Sequence, residues 1–185
     1  APRRAGANEN TIITFSDDAT IEGQPIPAGT YALFMGLHED GKVDVIFSKN
    51  SESWGSYFYD EAEDQLRVTV NSEETAHTER LTFDFDNLDK TSATCALTWE
   101  KKRIPFKIAF DVDELVLAKA RNELRSTTGF NWQGPASAAQ YALQNKVALD
   151  EAETWANQAV AAEANFNTLM LQSQVLAARG KADEA

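Results

Sequence analysis

The groups of this 185-residue chain best suited to chemistry are a few carboxylates, two arginines and one run of aromatic rings. Asn8 and Glu9 stand just before the first strand-like segment, an amide and a carboxylate at a strand mouth, placed to orient a ligand or to exchange a proton with it. Paired with Glu79, Glu9 would supply the two-carboxylate arrangement of a metal-independent hydrolase or lyase, provided the groups lie roughly 5–10 Å apart. The same residues serve equally well to bond the backbone of a turn. Trp54, Tyr57 and Tyr59 surround Gly55 in the run WGSYFYDE, flat rings beside a backbone that can be approached closely. Such a cluster suits stacking on a glycan or a peptide, and it suits a buried corner of a core. Arg67 and Arg80 carry a planar fork that could grip Glu9, Glu79 or an anionic ligand, or form ion pairs along neighbouring strands.

Other constellations are missing. Asp60, Glu61, Glu63 and Asp64 are dense in carboxylate but lack the DxDxDG spacing that wraps calcium, so a solvated acidic turn is expected. His38 and His77 are the only histidines and have no partner at ligand spacing, so neither a zinc site nor a Ser-His-Asp triad is expected. No GxGxxG or GxxxxGK[ST] loop is present to cradle a nucleotide, and no metal or other cofactor is expected. Cys95, alone in an alternating apolar run, cannot form an intrachain disulfide and reads as a small buried hydrophobe.

The net charge of -12 argues against nucleic acid, whose phosphates such a surface repels. The one local basic excess, Lys101, Lys102, Arg103 and Lys107, reads as a solvated sheet edge. No apolar run approaches the roughly 18 residues that span a bilayer, and no charged-then-apolar signal opens the chain. The sequence starts at Ala1 inside a motif, which suggests a processed or truncated product, and the native chain is expected either to continue past Ala185 or to cap itself there.

These groups must be positioned by two kinds of structure. From Thr11 to Phe110, short alternating segments broken by turn residues predict strands at about 11–15, 19–22, 29–37, 42–48, 65–71, 78–86, 92–100 and 103–110. Pro25 and Pro27 belong at a sheet edge, and Asp40-Gly41 marks a hairpin. In the strand after it Val43, Val45 and Phe47 define an apolar face, with Asp44, Ile46 and Ser48 on a mixed one. Seven or eight such strands imply an antiparallel β-sandwich or flattened barrel over residues 1–110.

At Asp111 the period changes. Asp111 and Glu114 stand at capping-box spacing, and Val112, Leu115, Val116, Ala120 and Leu124 share a helical face. Pro135 is expected to open the next helix, Asn165 to cap another and Gly180 to stop it. Asp150-Glu151-Ala152 recurs as Asp183-Glu184-Ala185, 33 residues on, and Ala152 and Ala159 are small where helices must approach. That is close to the 34-residue period of a tetratricopeptide helix pair, so residues 111–185 are predicted to form an α-helical hairpin tail on an α+β protein.

Six landmarks occur in order: RxGANE (Arg4 to Glu9), PAGTY (Pro27 to Tyr31), WGSYxYDE (Trp54 to Glu61), LRV (Leu66 to Val68), ExLTFxF (Glu79 to Phe85) and LTWE (Leu97 to Glu100). This order resembles the domain of unknown function 2911 family over about residues 3–110 and, more loosely, through the tail. The resemblance implies a β domain with an Ala-rich helical tail, a source among the Bacteroidetes and their relatives, and a periplasmic or exported location. The chain departs from the family pattern at Arg3, where a Trp is usual, and lacks a further upstream β segment. The resemblance brings no catalytic or binding residues with it.

The leading functional expectation is a binding or protein-interaction module. Its ligand, a glycan or a peptide, would meet an edge built from Asn8, Glu9, Trp54, Tyr57, Arg67 and Glu79, and the helical tail would dock a protein partner or a second copy. The alternative is the carboxylate-based hydrolase or lyase acting on an extracellular polymer through Glu9 and Glu79. A purely structural reading, in which the β domain supports a helical scaffold, stands beside both.

Overall fold

The alternation of the first 110 residues becomes nine antiparallel strands in a computed structural model that describes residues 2–181 and 183. They are β1 (Arg3–Arg4), β2 (Ile12–Phe15), β3 (Ala19–Ile21), β4 (Gln24–Ile26), β5 (Gly29–Leu37), β6 (Lys42–Ser48), β7 (Asp64–Asn71), β8 (Glu73–Asp86) and β9 (Ser92–Ala109). The chain divides into two units, Ala1–Asp111 and Val112–Ala185.

In the first unit β1 and β2 both pair with β5, followed by β6 and β7; the second sheet runs β4, β3, β9, β8. The two sheets do not close, so the architecture is the sandwich and not the barrel. Inward residues of one sheet, Tyr31, Leu33, Met35, Val43, Val45, Phe47, Val68 and Val70, meet Ile21, Ile26, Cys95, Leu97, Ile104, Phe106 and Ile108 of the other. Phe47 and Phe106 lock across the seam edge to face, with ring centroids 5.8 Å apart. Burial pushes the Cys95 thiol up to about 11, which keeps it protonated and inert.

Pro25 lies in β4, at the free edge of its sheet, where its missing N–H breaks no ladder. The expected break near residue 101 does not occur. One long β9 continues through it because Glu100 adopts a positive φ of 55°. The residues that point inward accordingly switch from Cys95 and Leu97 to Ile104, Phe106 and Ile108. Opposite this point β8, which starts at Glu73 and not at residue 78, slips register between Glu74 and Thr82.

The second unit contains α1 (Val112–Glu123), a 3-10 turn (Thr127–Phe130), α2 (Gln133–Asn145), α3 (Leu149–Ala162) and α4 (Phe166–Ala178). Its core is built from Leu117 with Ala138, Ala139, Ala142, Ala152, Trp155, Ala156, Leu171 and Val175. Ala152 and Ala159 are fully buried, as close helix approach requires. On α1 the buried face centres on Leu117. Of the stripe read from spacing, Ala120 and, just past the helix end, Leu124 pack against this core, whereas Val112, Leu115 and Val116 are half-buried and Leu117 takes the central place. Pro135 occupies the third position of α2, still within the first turn where no intrahelical N–H is needed. Asn165 caps α4 through a reciprocal bond with Thr168, and Gly180 follows its last turn. Since α2 begins at Gln133 and α4 at Phe166, the helix spacing is 33 residues, a tetratricopeptide-like arrangement. The sequence recurrence ending the chain lies mostly outside the described residues.

Candidate functional site

Because β6 alternates, its odd residues enter the core and Asp44, Ile46 and Ser48 face the other way. Strand register extends this outer face into rows. Arg4, Phe34, Ile46 and Arg67 stand side by side across β1, β5, β6 and β7, and the next row holds Gly36, Asp44 and Thr69. Ala32, Phe34 and Ile46 are buried there as a small second core, roofed by Tyr59 from the segment joining β6 to β7. The Tyr59 ring meets Phe34 edge on, 5.1 Å between centroids.

A polar network rings this apolar floor. The Tyr59 hydroxyl donates to Asp64 at 2.8 Å and accepts from Arg67 Nη2 at 2.8 Å, while the same Arg67 nitrogen donates to Asp64 at 2.7 Å. Arg67 Nη1 reaches Asp44 at 3.4 Å, Thr69 Oγ1 donates to Asp44 at 2.7 Å, and His38 Nε2 lies 3.1 Å from it. Burial alone would raise the Asp44 carboxyl, but donation from Thr69, His38 and Arg67 outweighs it and holds the group below the usual range. Burial, reinforced by the hydrogen bond to Asp64 and its charge, pushes the Tyr59 phenol up. Tyr59 is therefore a fixed hydroxyl and not an acid or base near neutral pH. The network is saturated with its own partners, so its chemistry is that of a brace.

Above the brace the loop turns outward. The Arg4 guanidinium sits 5.8 Å from the centroid of Trp54, within cation–π range. Gly55 is buried at a φ of +57°, and a Cβ there would stand 3.0 Å from Arg4 Nη1 and 3.4 Å from the Asn8 carbonyl oxygen. The first and third sequence landmarks thus close on one another. Asn10 adds a bond from Nδ2 to the Asn50 carbonyl at 3.4 Å. The rings that remain outside are Trp54, 55% exposed, Tyr57, 83%, and Phe58, 63%. Tyr57 and Phe58 pack edge to face at 5.1 Å, forming one surface patch.

Of the residues predicted for a site, the structure gathers Trp54 and Tyr57 on one loop, with the Asn8 backbone against its glycine. The Asn8 and Glu9 side chains are exposed and make no hydrogen bond among the described residues. Arg67 belongs to the brace beneath. Glu79 lies on β8 of the second sheet, exposed, with its carboxylate 3.2 Å from His77 Nε2. Among the described residues no hydrogen bond or ion pair joins Glu9 to Glu79. Asp60 caps the 3-10 turn Glu61–Glu63 by accepting from the Ala62 amide, which makes that acidic run a capped turn. Phe58, Arg4 and the Asp44–Asp64 pair were not anticipated. The signals available were Asp44 as the one charge inside an apolar strand and Phe58 within the aromatic run.

Clefts also occur elsewhere among the described residues. One of about 390 Å³ at the sandwich rim includes Asn71, Asn87, Arg103 and Lys107, with Arg103 held by Glu73 at 2.6 Å and Asp86 at 2.7 Å. A groove of about 630 Å³ in the helical unit is lined by Val116 and Ala120 of α1, Leu124 just after it, Thr128, and Ala138 and Tyr141 of α2. Among the described residues no cluster of three or more His, Cys, Asp or Glu is placed to hold a metal, and no helix is long and apolar enough to cross a membrane.

Fold and site together define a two-sheet β-sandwich with a braced aromatic loop and a tetratricopeptide-like helical unit. Residues 2–108 match the family described as Protein of unknown function (DUF2911), and the chain belongs to that family. No curated protein and no solved structure matches it.

Proposed function

We propose that the protein is a binding module that presents Trp54, Tyr57 and Phe58 to a glycan or an extended peptide. Asn8 and Glu9 supply polar contacts beside them, and the helical unit offers a surface for protein docking. The supporting observation is the contrast within one loop: three rings stand in solvent while its base is pinned by Tyr59, Asp64 and Arg67. Exposed aromatics on a mobile loop would lose much of their contact energy in ordering; on a fixed loop they keep it. A periplasmic or exported location, implied by the family, would place such a surface among polysaccharides and envelope proteins.

The test is an NMR titration with neutral oligosaccharides (cellohexaose and maltohexaose) and with a Pro-rich peptide, whose preformed extended helix suits aromatic surfaces. At least one probe is expected to shift the signals of residues 4–10 and 50–60. Trp54→Ala or Tyr57→Ala should weaken that probe about tenfold or more, the loss typical of an aromatic anchor. Saturating additions of every probe without shifts in these segments would refute the proposal.

A further inference from the structure

The geometry points to a second binding site, for a neutral sugar of one or two rings, in the cleft of about 390 Å³ at the rim of the sandwich. This site goes beyond the aromatic-loop reading and does not depend on it. β6 and β7 pair from Ser48 and Asp64, where that loop joins them, to Lys42 and Asn71, so the cleft lies at the other end of these strands. Past Glu100 the inward residues of β9 are Ile104, Phe106 and Ile108, which leaves Arg103, Pro105 and Lys107 in a row turned the other way. Asn71 comes from the end of β7, Glu22 from the turn between β3 and β4, and Asn87 from the turn between β8 and β9. Four segments thus converge on one concavity.

Its walls are already fixed. Glu73 and Asp86 grip the Arg103 guanidinium, one at each terminal nitrogen. The Glu22 amide donates to the Lys107 carbonyl at 2.9 Å, and Glu22 Oε1 accepts from the Lys107 amide at 2.5 Å. Glu22 holds this position at a φ of 49°, where glycine would be less strained, so a carboxylate is kept here against the backbone's preference. Asn87 Nδ2 donates to Asp86 at 3.0 Å. Walls held this way lower the ordering cost that a ligand must meet.

The groups left unengaged select the ligand. Among the described residues the Asn71 amide and the Lys107 ammonium have no side-chain hydrogen bond or ion pair, and Glu22 Oε2 and Asn87 Oδ1 accept none. Donors and acceptors therefore stand together. The formal charges of the lining cancel, Arg103 and Lys107 against Glu22 and Glu73, with Asp86 added where it grips Arg103. An anion would meet three carboxylates and a cation two basic groups. A hydroxyl both donates and accepts, so a ligand carrying several of them can serve amide, ammonium and carboxylate at once. Pro105, half-buried, gives the C–H face of a sugar ring an apolar contact. The volume is near the lower bound of small-molecule sites, about 300 to about 1,000 Å³, which suits one or two rings and not a long chain.

The test is an NMR titration with glucose, galactose, mannose, N-acetylglucosamine, maltose and cellobiose, each to about 50 mM, a range that covers the millimolar affinity of a small polar cleft. At least one sugar is expected to give saturable shifts in residues 69–73, 87 and 103–107. Asn71→Ala and Lys107→Ala change exposed positions and should each weaken that sugar about tenfold, with folding checked by circular dichroism. Inorganic phosphate and glycine serve as anion and zwitterion, and neither should saturate these signals. No saturable shift with any sugar, sugar binding that survives either variant unweakened, or saturation by phosphate or glycine at lower concentration than any sugar would overturn the inference. Trp54→Ala should leave these shifts unchanged, so failure here is separable from failure of the aromatic-loop proposal.

Discussion

Tyr57 and Tyr59 are two residues apart and have opposite duties. In a strand that spacing would put both rings on the same face, but residues 51–58 run through successive bends and turns, so parity is lost. The cluster was therefore legible as aromatic and not as divided into an inner and an outer half. The division has a measurable consequence. Tyr59→Phe keeps the ring on Phe34 and removes the hydroxyl shared by Asp64 and Arg67, and should cost about 1–2 kcal/mol in denaturant unfolding. Tyr57→Ala, at a position 83% exposed, should change stability by less than about 0.5 kcal/mol. Gly55→Ala forces a side chain into a left-handed backbone and onto Arg4, and should destabilise by about 1–2 kcal/mol.

At the scale of elements, strands announced by alternation and bounded by turn chemistry were the most readable. β5 and β6 occupy the ranges expected, since Gly41, at a φ of +84°, ends the turn between them. Bulges were not readable, because Glu100 carries no residue type that demands a positive φ. Helix faces suffered a similar ambiguity. Val112, Leu115, Val116 and Leu117 offer more apolar positions than one face can bury, and packing against α2 selects Leu117. Between α2 and α3 the chain turns through Lys146 at a φ of 57°, which caps α2. Lys146 is exposed, so Lys146→Gly relieves that strain with little loss of contact and should raise stability by about 0.5–1 kcal/mol, read as a higher denaturant midpoint at unchanged slope.

For the whole molecule, the change of period near residue 111 marked the passage from strands to helices, and the composition gave a net charge of -12. Neither disclosed that the sandwich has a second, outer core beneath a loop, because that depends on which segment folds over β5 and β6. The buried charge in that layer sets an acid response. Asp44 titrates below its unfolded value near 4, so its contribution is complete above that pH and disappears as pH falls through the folded value. Stability of the β unit should therefore decline below about pH 4, and Asp44→Asn should flatten the decline while lowering stability at neutral pH. Unfolding titrations between about pH 2 and pH 7 would check both signs.

Hydrogen exchange of the backbone amides from Asn50 to Asp64 bears most directly on the braced loop. In the wild-type protein the amides of Tyr59, Glu63 and Asp64 should exchange slowly, with that protection lost in Tyr59→Phe and retained in Tyr57→Ala. Exchange of these amides at unprotected rates in the wild-type protein, or equal loss in both variants, would contradict a loop held rigid from below with its aromatic rings free for a ligand.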